Sequence, residues 1–213
     1  MLDFLHSEHA DLVILCAKIA AAVIALVVFV RVSGIVRYIP NDRLGVLEKL
    51  WSFRGSIDSG FIALHGEAGY QPDVLRGGFH FFMPFQYRIH PVSLVTIPQS
   101  EIGYVFARDG ESLPPTQTLA NNEVANEFQD ARSFLSNGGQ KGPQRKILRE
   151  GTYAINLAQF VVLTRDSIYA VRLNSSEVAL FENMSSLIAE RSGFQPVVIK
   201  DAQDVIGVVT VHD

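Results

Sequence analysis

The feature that most constrains this chain is an unbroken apolar run near its N-terminus. Residues 12–30 read LVILCAKIAAAVIALVVFV, and Lys18 is the single charged residue among them. A helix of that length measures about 28 Å, close to the ~30 Å hydrocarbon core of a bilayer. The many Leu, Ile, Val and Phe residues outweigh an insertion cost of about 3 kcal/mol for a central lysine. Residues 12–32 are therefore predicted to form a transmembrane helix.

The residues on either side favour a retained anchor with a defined orientation. Acidic residues precede the run, unlike the basic start of a cleaved signal peptide: Asp3, Glu8 and Asp11. Basic residues follow it, whereas residues 1–11 contain none: Arg31, Arg37 and Arg43. The positive-inside rule then predicts a short external tail over residues 1–11 and a cytoplasmic body. Within this predicted helix the apolar run extends from Leu12 to Val30, with Lys18 reaching toward the headgroups and Arg31 directly after the run.

Composition excludes several classes of protein. With 48% hydrophobic and 19% charged residues, the chain is too apolar to be disordered throughout. A net charge of −4 argues against a dedicated nucleic-acid-binding domain. The single cysteine, Cys16, rules out an intrachain disulfide and a cysteine-cluster metal site. We predict no cofactor and no nucleic-acid partner.

Internal repetition organises the body of the chain. A short motif with a central glycine occurs three times, as Leu44-Gly45-Val46, Ile102-Gly103-Tyr104 and Ile206-Gly207-Val208, the first two after an Ile-Pro pair. A longer motif, LRGGFHFFMPFQY at 75–87, aligns without a gap with LREGTYAINLAQF at 148–160. Glycine turns between short β-rich runs predict an α+β body made mostly of strands. The predicted units cover residues 33–95, 96–198 and 199–213, the third being truncated.

Two helices are predicted within the strand-rich body. In the first, Asn122 is the cap, residues 136–139 end the helix, and four apolar residues have helical spacing: Val124, Phe128, Ala131 and Leu135. The second extends from about Glu177 to Arg191, ends at Gly193, and places four apolar residues on one side: Val178, Phe181, Leu187 and Ile188. Both apolar faces are expected to pack in the core.

The densest aromatic cluster of the chain lies in residues 79–87. It contains Phe79, Phe81, Phe82, Met83, Phe85 and Tyr87. Apolar residues at both strand parities are typical either of a fully buried strand or of a segment with one face in the leaflet. The pattern alone favours the buried strand. The alternative makes Phe79, Phe81, Phe82, Phe85 and Tyr87 candidate membrane contacts.

Motifs that suggest chemistry have simpler structural explanations. Residues 138–143 lack the Ser or Thr that follows Lys in a phosphate-binding loop, so a turn is expected. The basic residues nearby belong either to a solvated loop or to a contact with anionic headgroups: Lys141, Arg145, Lys146 and Arg149. No nucleophile motif accompanies the histidines of the body, which are His65, His80 and His90. Asp109 and Glu111 suit a turn around Gly110, and His6 and His9 belong to the tail. We predict no catalytic or metal site.

These motifs follow a membrane segment in an order that resembles the flotillin branch of the SPFH (stomatin, prohibitin, flotillin, band 7) superfamily. The resemblance is to bacterial inner-membrane flotillin-like proteins of the YqiK type. It begins with Ile39-Pro40 before Leu44-Gly45-Val46 and continues in LRGGFHFFMPFQYRI at 75–89, with a glycine turn, His-Phe and a proline. The stretch GGQKGPQRKILREGTYAINLAQF at 138–160 is also flotillin-like. Together with the membrane segment, these motifs are spread from residue 12 to residue 160.

The resemblance implies a function that composition does not give. It implies an α+β SPFH domain on a single-pass inner-membrane protein that self-assembles and organises membrane microdomains. The partners would be lipids, copies of the chain and client membrane proteins, with no enzymatic activity. The alternative is an accessory subunit of a membrane protease, whose body would face the periplasm.

The last residues predict that this chain is part of a longer protein. Residues 102–109 align with residues 206–213, and the sequence ends opposite Gly110. The coiled coil that follows the domain in flotillins is also absent from the sequence. We therefore expect the native reading frame to continue beyond Asp213.

Overall fold

The computed structural model describes residues 2–121 and 126–197. Helix α1 (Leu2–Ser33) comes first, and its Leu12–Ser33 stretch of 22 residues is long and apolar enough to cross a membrane. This confirms the predicted apolar helix. The expected tail over residues 1–11 is instead helical from Leu2. The physical reason is that this segment contains neither glycine nor proline to end a helix.

Five strands follow α1 and form the first β-rich unit, called unit 1. They are β1 (Val36–Ile39), β2 (Arg43–Lys49), β3 (Gly69–Leu75), β4 (Gly78–Phe81) and β5 (Tyr87–Ser93). Strands β1 and β4 pair as an antiparallel ribbon, and β2 lies between β3 and β5 in an antiparallel sheet. Unit 1 therefore consists of a two-stranded ribbon beside a three-stranded sheet.

The next six strands form unit 2. They are β6 (Val95–Ile97), β7 (Tyr104–Ala107), β8 (Gly142–Pro143), β9 (Gly151–Tyr153), β10 (Phe160–Leu163) and β11 (Ile168–Tyr169). Strands β6 and β9 form a ribbon, and the sheet order is β8-β7-β10-β11. All these pairings are antiparallel, as in unit 1, and β11 is an additional strand. The chain is thus α+β, an apolar helix followed by a β-rich body with few helices.

The two units repeat the same strand pairings in the same register. Ile39 pairs with Gly78 in unit 1, as Ile97 pairs with Gly151 in unit 2. Lys49 pairs with Tyr87, as Ala107 pairs with Phe160. The offset between equivalent residues is 58 up to the end of β2 and 73 from β3 onward, so unit 2 has 15 extra residues between β7 and β8. The domain boundaries predicted from the sequence stay predictions.

Equivalent side chains also make equivalent contacts. The Gln71 amide donates to the carbonyls of Glu67 (3.1 Å) and Gly69 (3.0 Å). The Gln144 amide donates to residues at the same spacing, the carbonyls of Gln140 (2.8 Å) and Gly142 (2.9 Å). In both units the glutamine amide donates to the carbonyls four and two residues earlier. The two units therefore match in these side-chain hydrogen bonds as well as in strand register.

In units 1 and 2, the glycine of the short motif allows a close approach of an isoleucine side chain. A Cβ at Gly45 would lie 2.5 Å from Ile39 Cδ1, and a Cβ at Gly103 would lie 2.7 Å from Ile97 Cδ1. Both distances are far below a van der Waals contact. The Ile-Pro pair and the following glycine therefore recur together because the isoleucine side chain packs on the glycine backbone.

The helices of the body differ partly from prediction. Asn122 and Val124 lie outside the described residues. A 3₁₀ turn (Asn126–Phe128) and α2 (Ala131–Ser136) stand where one helix was predicted, because Glu127 has a φ of 52° and Asp130 caps α2. Phe128 and Ala131 therefore lie in two different elements, and they have helical spacing because both elements pack into one core.

The second predicted helix is confirmed as α3 (Ser175–Glu190), which begins two residues earlier than expected. Asn174 and Glu177 form a capping box, and the Gly193 amide donates to the Ile188 carbonyl beyond the last turn. Phe181 is buried, but Val178 and Leu187 are exposed. The expectation that all four apolar residues face the core is therefore wrong for those two. The third unit, residues 199–213, lies outside the described residues.

The main core joins both units to the extra residues of unit 2. It includes Val46 and Ile62 from unit 1, Ile155 and Phe160 from unit 2, and Phe128 and Phe134 from the extra residues. Because both units bury side chains in one cluster, they fold on each other.

Polar side chains of unit 2 bind the backbone of unit 1 across this contact. The Asp109 carboxylate accepts from the amides of Phe61 (2.5 Å) and Ile62 (3.0 Å). The Asn156 amide donates to the carbonyls of Gln71 (2.9 Å) and Pro72 (2.8 Å). These bonds satisfy backbone groups that the contact between units removes from water. Asp109 therefore has a structural role beyond the turn expected for it.

We predict that the close contact between Ile97 and Gly103 leaves no room for a side chain at residue 103. G103A should lower the free energy of unfolding by about 1–3 kcal/mol, because the new methyl overlaps Ile97 Cδ1. I97V removes that carbon, so the double variant I97V/G103A should recover part of the loss. The measurement is chemical unfolding of the purified chain in detergent, with I97V alone as control. Full stability of G103A, or no recovery in the double variant, would contradict the packing argument.

Candidate membrane-facing site

The C-terminal end of α1 is attached directly to the aromatic segment of unit 1. Gly34, with a φ of 71°, follows the last helical residue and turns the chain into β1. The amides of Phe82 and Phe85 donate to the carbonyls of Ile35 and Ser33, both at 2.8 Å. The Phe29 and Phe85 rings also meet edge to face, with centroids 6.3 Å apart. The aromatic segment is therefore held where the apolar helix ends.

Exposed apolar side chains surround this junction. We call Tyr38, Leu50, Trp51, Phe79, Phe81, Met83 and Phe85 the aromatic rim. Phe79 and Phe81 alternate with half-buried residues along β4 and are 69% and 75% exposed. Tyr38 lies opposite Phe79 on β1, with ring centroids 5.0 Å apart, and the Trp51 indole donates to the Phe85 carbonyl at 3.1 Å. The rim is thus an organised apolar surface.

The buried-strand interpretation of residues 79–87 is wrong. Phe79, Phe81 and Phe85 are exposed, and Met83 is 57% exposed. Phe82 and Tyr87 are half-buried and pack on each other with centroids 5.2 Å apart. The candidate contacts therefore divide into three exposed residues and two that support the segment from within. Their contact with lipid stays a prediction.

The equivalent surface of unit 2 has the opposite character. Phe81, Met83 and Phe85 correspond to three buried residues at an offset of 73: Ala154, Asn156 and Ala158. Unit 1 contacts this surface at Asn156, whose amide donates to the Gln71 carbonyl, and the Ala154 amide donates to Gln129 of the extra residues of unit 2. The same backbone positions therefore carry small residues where protein packs and large apolar residues where no described residue covers them.

The polar residues that join the units are also replaced in unit 1. Arg108 and Asp109 correspond to Leu50 and Trp51 at an offset of 58. Arg108 pairs with Glu177 at 3.0 Å and lies 3.9 Å from the centre of the Phe61 ring. Leu50 and Trp51 are uncharged and exposed. Sequence reasoning missed both, although aligning the two units would have indicated them.

The other candidate residues have structural partners. His90 Nε2 lies 2.7 Å from a Glu48 carboxylate oxygen, and the Tyr70 ring packs beside it. Burial raises the pKa of Tyr70, and the nearby Glu48 carboxylate raises that pKa further. His80 bonds the Arg76 carbonyl at 2.7 Å, as expected for a strand histidine. In the described part of the chain, no Ser, Thr or Cys side chain bonds a histidine of the body.

The basic segment and the possible metal ligands give no second site. Lys146 pairs with Glu127 at 2.8 Å, and residues 138–143 form the turn and strand that follow α2. Among residues with described side chains, no group of three or more His, Cys, Asp or Glu residues could hold a metal ion. The side chains of His6 and His9 lie outside that set. Among the described residues, the aromatic rim is therefore our candidate functional site.

Compared with models of known families, with curated proteins and with solved structures, the chain matches none of them. The resemblance to the SPFH superfamily stays a prediction.

We predict that substitutions at equivalent positions of the two units change the free energy of unfolding by different amounts. F81T should change the free energy of unfolding by less than about 0.5 kcal/mol, because Phe81 is exposed. A154F, which puts the unit 1 residue at the equivalent position of unit 2, should cost about 2 kcal/mol or more, because Ala154 is only 4% exposed and its amide donates to Gln129. Chemical unfolding in one detergent compares the two variants. Equal effects would mean that the two surfaces are not distinguished by a protein neighbour.

Proposed function

We propose that this chain is a non-enzymatic, flotillin-like membrane scaffold whose α1 helix spans the inner membrane. The body lies against the membrane surface through the aromatic rim. The observation that carries the proposal is the contrast between the units, since a surface covered by protein in unit 2 is exposed and apolar in unit 1.

The position of the rim supports a lipid contact. If Leu12–Ser33 crosses the hydrocarbon core, the end of α1 lies at the interface, and the rim is bonded to that end. Aromatic side chains favour this depth, where one part of the ring contacts lipid and the polar atoms contact water. Full burial of one Phe or Met contributes about 1.5–3 kcal/mol, so partial burial of several offsets the cost of orienting the body.

The scaffold role extends this membrane attachment. We propose that copies of the chain assemble side by side on the cytoplasmic face and gather lipids and client membrane proteins into microdomains. The orientation rests on Arg31, Arg37 and Arg43, which follow the span. The SPFH-like order of the motifs supports self-assembly.

We predict that the single tryptophan of the chain reports the rim at the interface. Trp51 should be quenched by phospholipids brominated near the headgroup when the full chain is reconstituted. Bromine near the bilayer centre should quench less, because Trp51 is bonded to Phe85, which is itself bonded to the last residue of α1. F81T/F85T should weaken the quenching, whereas L180T on the exposed part of α3 serves as a matched control. Equal quenching at all depths, or none, would contradict the proposed contact.

We predict that the membrane-extracted chain forms large assemblies with its body in the cytoplasm. Detergent-free extraction into polymer-bound lipid particles should give particles far larger than one 23.5 kDa chain. A phosphatase fused after Asp213 should be inactive, because that enzyme requires the periplasm. Carbonate should fail to extract the protein. An active phosphatase would favour the protease-accessory alternative, and single-chain particles would remove the scaffold.

A further inference from the structure

A groove of about 660 Å³ lies between the last turns of α1 and the β1–β4 ribbon. Apolar side chains form both walls: Leu26, Val27 and Val30 from the helix, and Val36, Tyr38 and Phe79 from the ribbon. The helix wall belongs to the candidate span, and the ribbon wall belongs to unit 1. A molecule in this groove would therefore contact the apolar helix and the body at the same time.

Two arginines line the same groove. Arg31 lies in the last turn of α1, and Arg37 lies on β1. A Cβ at Gly34 would lie 2.9 Å from Arg37 Nη2, so the Arg37 guanidinium is packed against the backbone at the helix end. Within residues 2–121 and 126–197, neither guanidinium has a hydrogen-bond or ion-pair partner. The groove thus combines apolar walls with two positive charges that have no partner among the described residues.

We propose that this groove binds one phospholipid with an anionic headgroup. Its acyl chain would lie along Leu26, Val27 and Val30, and its phosphate would accept hydrogen bonds from Arg31 and Arg37. Guanidinium groups suit this role because their fork of donors matches phosphate oxygens. The inference rests on the proposed membrane anchor, since the helix wall meets acyl chains only if α1 spans the bilayer.

A phospholipid fits the groove better than a peptide or free phosphate. A peptide would leave backbone groups unsatisfied against the apolar helix wall, which offers no polar side chain from Leu26, Val27 or Val30. Free phosphate would use the arginines and leave the apolar walls uncovered. A lipid satisfies both halves at once, because its charge and its hydrocarbon occupy the interface at the same relative depths as Arg31 and Val27.

The test uses the full chain in nanodiscs of phosphatidylcholine with a trace of spin-labelled lipid. The fraction of motionally restricted label is measured for labelled phosphatidylglycerol and for labelled phosphatidylcholine. The unaltered chain should prefer phosphatidylglycerol, and the preference should fall by about fivefold for each arginine removed. R31Q/R37Q should show no preference. Inorganic phosphate at matched ionic strength should not displace the labelled lipid.

Matched variants separate a site from a diffuse charge effect. R43Q removes a third basic residue after the span that does not line the groove, and it should keep the preference. V27W should fill the groove and reduce restricted label of both lipids, whereas V28W, outside the groove, should not. Loss of preference in R43Q equal to that in R31Q/R37Q would overturn the site, as would displacement by phosphate or no preference in the unaltered chain.

Carbonate extraction of the same variants distinguishes the two levels of inference. A chain that stays in the membrane but shows no lipid preference would overturn the groove and leave the anchor intact. A chain released by carbonate would overturn both, because the helix wall would then have no acyl chains beside it.

Discussion

The contact between the two β-rich units depends on three polar side chains of unit 2. Asp109 and Asn156 satisfy backbone amides and carbonyls of unit 1, and Arg108 stacks on Phe61 while its guanidinium donates to two carbonyls and pairs with Glu177. Without these partners, the backbone groups of loop and strand that the contact buries would remain unsatisfied, at about 1–3 kcal/mol each. The contact fixes which surface of the duplicated fold faces protein.

Because the fold is duplicated, the surface that protein covers in unit 2 occurs a second time in unit 1. Unit 1 has the same strand pairings, so it presents the same surface again, but no described residue covers it. At the equivalent positions the charged or polar Arg108, Asp109 and Asn156 become Leu50, Trp51 and Met83. A surface that faces water is expected to be polar, whereas this one is more apolar and more aromatic than its equivalent in unit 2. That difference is the physical reason for the proposed contact with lipid.

Part of this architecture could be predicted from sequence, and the rest depended on tertiary contacts. The apolar run predicted a helix over residues 12–32, and the helical spacing of apolar residues after Glu177 predicted α3. Pattern alone left the aromatic segment open between a buried strand and a lipid contact, because alternation shows which residues are apolar but not whether a neighbour covers them. The helix predicted around Phe128 failed for a related reason, since a shared core produced helical spacing from two separate elements.

The direct connection between α1 and the rim determines how strong the surface contact needs to be. A body on a long flexible linker would sample many orientations, and the rim would have to hold it against that freedom. Here the carbonyls of Ser33 and Ile35 are bonded to the rim segment itself, so if α1 spans a membrane as proposed, its insertion would bring the rim to the interface as an intramolecular event. The effective concentration of lipid at the rim would then be very high. Under the proposed function, modest burial of Phe81 and Phe85 would therefore be sufficient to orient a body that is already attached through α1.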